Sequence, residues 1–588
     1  MSEGGSGSGP DGAASGGGRG GRPTGRAGAG RGPGRQGAGR PSAAGGGRER
    51  GPGGADGASR GNEASSPRRG RPGGGASGAP RSQPGGGGPR ERSGPARQRW
   101  STQKPSQRSR GGGSAREVAL DVLTAVRVDD AYANLVLPGL LRAAQAAGQM
   151  DARDAAFATE LAYGTLRGRG LYDAVLAVCS GRPLAQVDPP LLHALRLGVH
   201  QLLATRVPPH AAVSQTVGLV RTRVGAGAGG FANAVLRRVA EKDRDAWVAE
   251  VAPEGGEEAE RLAVVHSHPA WVVRALREAL VAHGRDVGEL EALLRADNAA
   301  PEVVLATRPG LSTPEELVSQ AREKVLRTAA GAWSPVAVRL DEGDPGSLPA
   351  VREGRARVQD EGSQLAALAL AAAPLDGRDE RWLDLASGPG GKAALLAAVG
   401  AQRGASLVAV EVSEHRARLV AQAVAGVPQG GPPVEVRTGD GREVGADEPG
   451  AYDRVLVDAP CTGLGALRRR PEARWRRLPS DLSGLGPLQR DLLASALAAV
   501  RVGGVVAYVT CSPHAAETLA VVGDAVRRGK GAVELLDAPA AVDAAAGRAV
   551  PGTAPAGGDA SPAGRTAQLW PHVHGTDAMF VALLRRLR

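Results

Sequence analysis

Five short apolar runs do most to restrict what this chain can fold into. They lie at 382–386, 406–411, 434–438, 453–458 and 503–510, with amphipathic stretches of helical length between them. Strand and helix alternating in this way predict a doubly wound, largely parallel sheet. The expected fold class for 356–588 is therefore α/β and Rossmann-like. At 588 residues the chain is too long for a single core.

The region before the sheet divides into three. Residues 113–242 carry helical periodicity, as where Val118 and Val122 fall on one face with the leucines of Ala119-Leu120-Asp121-Val122-Leu123. Asp151 and Asp154 precede a helix expected from Ala155 to Arg167, as N-terminal acids should. Further helices are expected from Leu191 to Leu203, from Ala212 to Val224 and from Phe231 onward, giving a compact all-α bundle. Residues 243–260 are acidic and polar and read as a linker. Residues 260–355 read as a small α/β subdomain, with a strand at Val303-Val304-Leu305-Ala306-Thr307.

Residues 1–112 are mostly Gly, Arg, Ser, Pro and Ala, and are expected to be disordered because they hold too little apolar surface to offset ordering entropy. They carry 20 Lys and Arg against 6 Asp and Glu, more than the whole chain's formal charge of +12, so 113–588 is close to neutral. Such a tail attracts polyanions without sequence preference, or serves only as a solubilising extension. No apolar run is long enough to span a bilayer, and the N-terminus lacks an apolar signal core, so no membrane association and a cytoplasmic location are expected. Three cysteines do not form a disulfide framework, and a reducing compartment keeps them available.

The chemistry gathers at the ends of the predicted strands. The first leads through Asp384-Leu385-Ala386-Ser387-Gly388-Pro389-Gly390-Gly391-Lys392 into a helix, a small-residue turn that lets a ligand approach backbone N–H groups. The second strand ends in Glu411, where an acid bonds ribose hydroxyls, and Asp440 follows the third. The turn matches neither a P-loop nor G-x-G-x-x-G. It suits S-adenosylmethionine at least as well as a dinucleotide. Two later strands run into Asp458-Ala459-Pro460-Cys461 and Thr510-Cys511-Ser512. His266 and His268 lack further ligands at metal spacing, so no metal is expected. Cys179 sits in the bundle without any such context and reads as an inert core thiol.

These motifs resemble the RNA 5-methylcytosine methyltransferases of the Nol1/Nop2/Sun family. The resemblance rests on Ala386 to Lys392, on Asp458 to Gly463 and on Thr510-Cys511-Ser512. It extends to Val358 to Gln364, to Arg468-Arg469-Arg470-Pro471-Glu472 with Trp475, and to His574 to Phe580. The bundle, with Glu160 to Arg167 and Asn233 to Arg237, is similar to a NusB-type RNA-binding domain. The combination is similar to bacterial members acting on small-subunit (16S) ribosomal RNA. The chain departs from the family pattern at Ala386-Ser387-Gly388, at Glu411 and at Ala578-Met579.

The resemblance implies S-adenosylmethionine as cofactor, held by Ala386, Ser387, Gly388, Pro389, Gly390, Gly391, Lys392, Glu411, Asp440 and Asp458. It also implies a ribosomal RNA partner, single-stranded or looped so that the base can leave its stack. A monomer is expected. Carbon 5 of cytosine is a poor nucleophile until a thiolate adds to C6. Chemistry alone permits either thiol to attack, and the family pattern assigns attack to Cys511 and release to Cys461. Asp458 is the candidate for N3 of the base, with Lys392 to orient it. Arg468, Arg469, Arg470 and Arg474 are expected to hold phosphates beside the site. A transfer RNA substrate, or a non-catalytic RNA-binding factor on a vestigial fold, are the competing readings.

Overall fold

The computed structural model describes residues 113–426, 431–555 and 562–588. The expected disorder of residues 1–112 lies outside the described residues.

The first part is helical, and the apolar periodicity explains why. The helices are α1 (Gly113–Val128), α2 (Ala133–Ala146), α3 (Ala152–Arg167), α4 (Arg169–Cys179), α5 (Pro189–Ala204), α6 (Pro209–Arg223) and α7 (Ala228–Val239). Asp151 caps α3 by accepting the Asp154 N–H at 2.7 Å, leaving Asp154 in the first turn. Helix α5 is buried almost all round, with Leu195, Leu197 and Val199 fully enclosed, and so forms the axis of the bundle. Cys179 is buried in α4, where burial pushes its thiol up to about 11. Its burial fits the core thiol that its context suggests.

The stretch 243–260 is not the linker its acidity suggests. It holds the helix Arg244–Val251 and the start of the helix Glu258–Val265. Asp243 caps the former by accepting the Ala246 N–H, and Trp247, nearly enclosed, donates its indole N–H to Val239 O at 2.8 Å. One buried aromatic and a cap outweigh the polar composition, because the acids occupy only the exposed face.

A small antiparallel sheet follows, ordered β2-β3-β1-β4, from β1 (Val303–Thr307), β2 (Thr328–Ala330), β3 (Ala337–Leu340) and β4 (Ala356–Val358). The helix Pro314–Glu323 packs Leu317 and Ala321 into the same core as Leu305 and Val338.

The large sheet holds β5 (Arg381–Asp384), β6 (Ser406–Glu411), β7 (Val434–Thr438), β8 (Tyr452–Asp458), β9 (Val500–Thr510), β10 (Val533–Leu535), β11 (Ala567–Gln568) and β12 (Phe580–Arg586). Its order is β10-β12-β9-β8-β5-β6-β7, with β11 beside β12. From β7 to β9 the pairs are parallel, while β12 runs antiparallel to β9 and β10. Both faces are covered. Alternate residues enter opposite cores: Trp382, Leu456, Ala507 and Val509 on one side, Leu383, Val455, Val457 and Tyr508 on the other. Strand β5 has β6 on one side and β8 on the other, so the winding reverses there, and a crevice opens beyond the strand ends. No helix among the described residues is long and apolar enough to cross a membrane.

Candidate active site

The crevice is floored by the small-residue turn between β5 and the helix Gly391–Gln402. Ala386 to Gly391 form this turn, anchored by Leu385 N–H to Leu456 O and by Ser387 N–H to Val410 O, both 2.9 Å. Gly390 has φ +84°, and a Cβ there would lie 2.9 Å from Val420 Cα, so both backbone and packing require glycine. At Gly388, φ +56°, nothing lies within 4 Å of where a Cβ would stand. The turn is closely packed beneath and open above.

Acids surround this opening. Glu411, almost fully buried at the end of β6, accepts the N–H groups of Gly388 and Ser413 at 2.9 Å and pairs with Arg416 at 2.6 Å. Asp440, after β7, accepts from the Arg442 guanidinium and N–H, which hold its carboxyl below the usual carboxylate range. Asp384 is fully buried, and neither carboxyl oxygen meets a donor at good hydrogen-bond geometry. Burial first, and then the charge of Asp458, push it up to about 7. Lys392, in the first turn of its helix, lies with Nζ 2.8 Å from Asp458 Oδ2. Burial opposes its charge, but Asp458 outweighs burial and raises the ammonium above its ordinary value.

The two cysteines converge because β8 and β9 are parallel neighbours that end together, with Asp458 opposite Val509. Each loop then carries its thiol forward, and Cys461 Sγ lies 3.4 Å from Cys511 Sγ, both partly exposed. They are unlike thiols. The hydrogen bond with Cys461 lowers Cys511 despite burial, and the charges of Lys392 and Arg470 act in the same direction. The same bond, with burial, the charge of Cys511 and that of Glu517, raises Cys461 well above a free thiol. The two thiols are coupled, and their surroundings favour the thiolate at Cys511 over the thiolate at Cys461.

The arginine run differs from expectation. Arg468 and Arg469 both reach inward to Asp360 and Asp577, with Arg469 at 2.7 and 3.1 Å. Arg474 is fully buried and donates to Ser267 O, Asn298 Oδ1 and Asp297 O. These three guanidinium groups are engaged by acceptors of the protein itself and hold the post-motif loop to the rest of the fold. Arg470 is exposed, over the Tyr132 ring at 5.1 Å. His266 and His268 lie near Glu291 and Asp297 respectively, at 3.4 and 3.8 Å, and do not converge on a common point.

Residues 370–585 match the family described as 16S rRNA methyltransferase RsmB/F, and residues 113–241 match the NusB family. The chain is 52% identical over 475 residues to a protein of Mycobacterium tuberculosis (strain ATCC 25618 / H37Rv) that carries a methyltransferase name, covering 80% of this chain and 96% of that one. It is 32% identical over 423 residues to the ribosomal RNA small subunit methyltransferase B of Pseudomonas syringae pv. tomato (strain ATCC BAA-871 / DC3000), covering 71% and 88%. The chain belongs to the RsmB/F methyltransferase family. It is an S-adenosylmethionine-dependent RNA methyltransferase. The crystal structure of PH0851 shares the RsmB/F fold seen here, with a TM-score of 0.64 at 22% identity over 81% of this chain and 98% of that one.

The turn fits the cofactor of an RsmB/F methyltransferase. A buried carboxyl at Asp384 with no well-aligned donor, open space over Gly388 and an acid at the end of β6 suit a ligand with a cationic end and a ribose. Sequence reasoning missed Asp384 as a separate group, although an acid closing an apolar strand was the available signal. It also missed Glu517, which touches both cysteine loops. Nothing local marks Glu517, because one of its two chief partners is 55 residues away.

Proposed function

We propose that this RsmB/F methyltransferase methylates carbon 5 of a cytosine in a single-stranded or looped segment of small-subunit ribosomal RNA, through a covalent adduct between Cys511 and C6. The observation that carries the reading is a pair of unlike thiols, 3.4 Å apart, beside the Lys392–Asp458 pair at the reversal point of the sheet. The NusB-like bundle is assigned to RNA binding, on its family match.

The residues assigned to the cofactor are Asp384, Ala386, Ser387, Gly388, Pro389, Gly390, Gly391, Lys392, Glu411, Asp440 and Asp458. When bound, S-adenosylmethionine supplies an electrophilic methyl group. The Cys511 sulfur forms the bond to C6, and a proton shared by Lys392 and Asp458 meets the charge that develops at N3. After methyl transfer a solvent water takes the C5 proton, N3 returns its proton to the Lys392–Asp458 pair, and the C6–S bond breaks with its electron pair leaving on Cys511 Sγ. Cys461, held above the ordinary thiol value, supplies an S–H hydrogen bond to the departing sulfur.

This division of labour has a direct test. Cys461→Ala should accumulate a denaturant-resistant protein–RNA adduct, and Cys511→Ala should form none. The opposite pattern would exchange the two roles, and no adduct with either variant would end the covalent reading. Bisulfite sequencing of RNA with and without the gene should show loss of one methylcytosine in 16S ribosomal RNA. A loss in transfer RNA alone would move the substrate there.

A further inference from the structure

Glu517 lies in the turn before the helix Leu519–Arg528 and is almost completely buried. Its Oε1 accepts the Thr462 N–H at 2.8 Å and the Gln489 amide at 3.2 Å. Its Oε2 accepts the hydroxyls of Thr462 at 2.5 Å and Ser512 at 2.7 Å. Thr462 directly follows Cys461, and Ser512 directly follows Cys511. One carboxylate thus fastens the residue after each thiol. Gln489 extends the clasp by donating to Pro460 O at 2.8 Å, on the other side of Cys461. The two hydroxyls also lie 3.1 Å apart, so the carboxyl group, Thr462 and Ser512 form one closed set of contacts between the loops.

We propose that Glu517 is a positioning residue that sets the separation of the two thiols and, by placing its carboxyl group against the residue after Cys461, disfavours the thiolate at Cys461. It acts through Thr462 and Ser512 and touches neither substrate nor cofactor. The inference rests on the two-thiol reading above. Other groups face the thiols from every neighbouring element: Lys392 from its helix, Asp458 from the end of β8, Tyr508 from β9 and Arg470 from the loop. Among the groups acting on Cys461, Glu517 is the carboxylate that raises it.

The experiment follows both thiols by iodoacetamide labelling and peptide mass spectrometry across pH 6–10 on the full chain. In Glu517→Gln, half-labelling of Cys461 should move down in pH by about one unit, with roughly tenfold faster labelling at pH 7.5. A short bifunctional thiol reagent should link Cys461 to Cys511 several-fold less efficiently. Glu517→Asp, which keeps the charge and shortens the reach, should restore the labelling profile more than the cross-link. Labelling profiles identical to the wild type in a folded Glu517→Gln would overturn the proposal. If Glu517→Gln does not fold, Thr462→Val carries the test: its cross-link yield should fall, and an unchanged yield overturns the proposal equally. Failure of Cys461→Ala to trap RNA would strike the covalent reading and leave these thiol measurements standing.

Discussion

At the scale of single residues, Asp384 is held in a state that costs the empty protein stability. Its folded value is about 7 against an ordinary 3.8, so the folded state binds the proton more tightly than the unfolded state. Its contribution to stability therefore declines as pH rises from about 4 to about 7 and is flat above. Asp384→Asn should raise the melting temperature of the cofactor-free protein, with the gain over wild type growing through that window. The same variant should lose roughly tenfold or more in S-adenosylmethionine affinity, because a hydrogen bond to a charged group contributes about 1.5–3 kcal/mol. Thermal melts at pH 4.5, 6 and 7.5 together with calorimetric titration check both halves. A gain independent of pH would show that ionisation is not the cause. Sequence made the acid visible, but not its isolation: the strands that enclose it, β6 and β8, come from segments more than 20 residues away.

At the scale of elements, the loop after Cys461 shows how one charge run divides between structure and surface. Arg474 satisfies two backbone carbonyls and Asn298 from a fully buried position. Arg474→Met should cost about 3–5 kcal/mol, since its buried acceptors lose their donor. It should leave the salt dependence of RNA binding unchanged. Arg470→Ala should do the reverse, with an unchanged melting temperature and a salt slope reduced by about one. Equal effects of the two variants on the slope would return the whole run to phosphate binding. The run looked uniform in sequence because charge density is local. Its division depends on Asp360, Asp577 and Asp297, which lie more than 100 positions away.

At the scale of the whole molecule, the bundle and the segment 470–476 after Cys461 are joined by direct contacts. The Ala133 N–H donates to Glu472 Oε1 at 3.1 Å, and Arg476 reaches Val126 O, Ala131 O and Asp130. The guanidinium groups of Arg470 and Arg476 both lie against the Tyr132 ring, and Arg169 covers Trp475. The Leu171 N–H donates to Ser267 Oγ, whose residue takes φ +55° to meet both this donor and Arg474. Gly170 is the tightest point, because a Cβ there would stand 2.9 Å from Ser267 Cα and from the Trp475 ring. Gly170→Ala should therefore lower stability by about 1–3 kcal/mol and reduce turnover, since the displaced Trp475 belongs to the segment that follows the catalytic loop. Turnover at wild-type level with a lowered melting temperature would show that the bundle does not govern the loop.

Sequence alone determined the elements. The short apolar runs located the strands from β5 to β9, and helical periodicity located five of the seven bundle helices, leaving out α2 and α4, because such patterns arise from burial of neighbouring residues. The motifs also named the turn, the two thiols, Asp458 and Lys392, since these sit at strand ends where side chains must emerge. Tertiary structure decided what each group does in company. It made 243–260 helical through one enclosed tryptophan, turned three arginines inward, enclosed Asp384 with only poorly aligned donors and brought Glu517 under both cysteine loops. Those outcomes depend on which distant segments share a low-dielectric interior, and pairwise burial across 50 to 100 positions leaves no periodic trace along the chain.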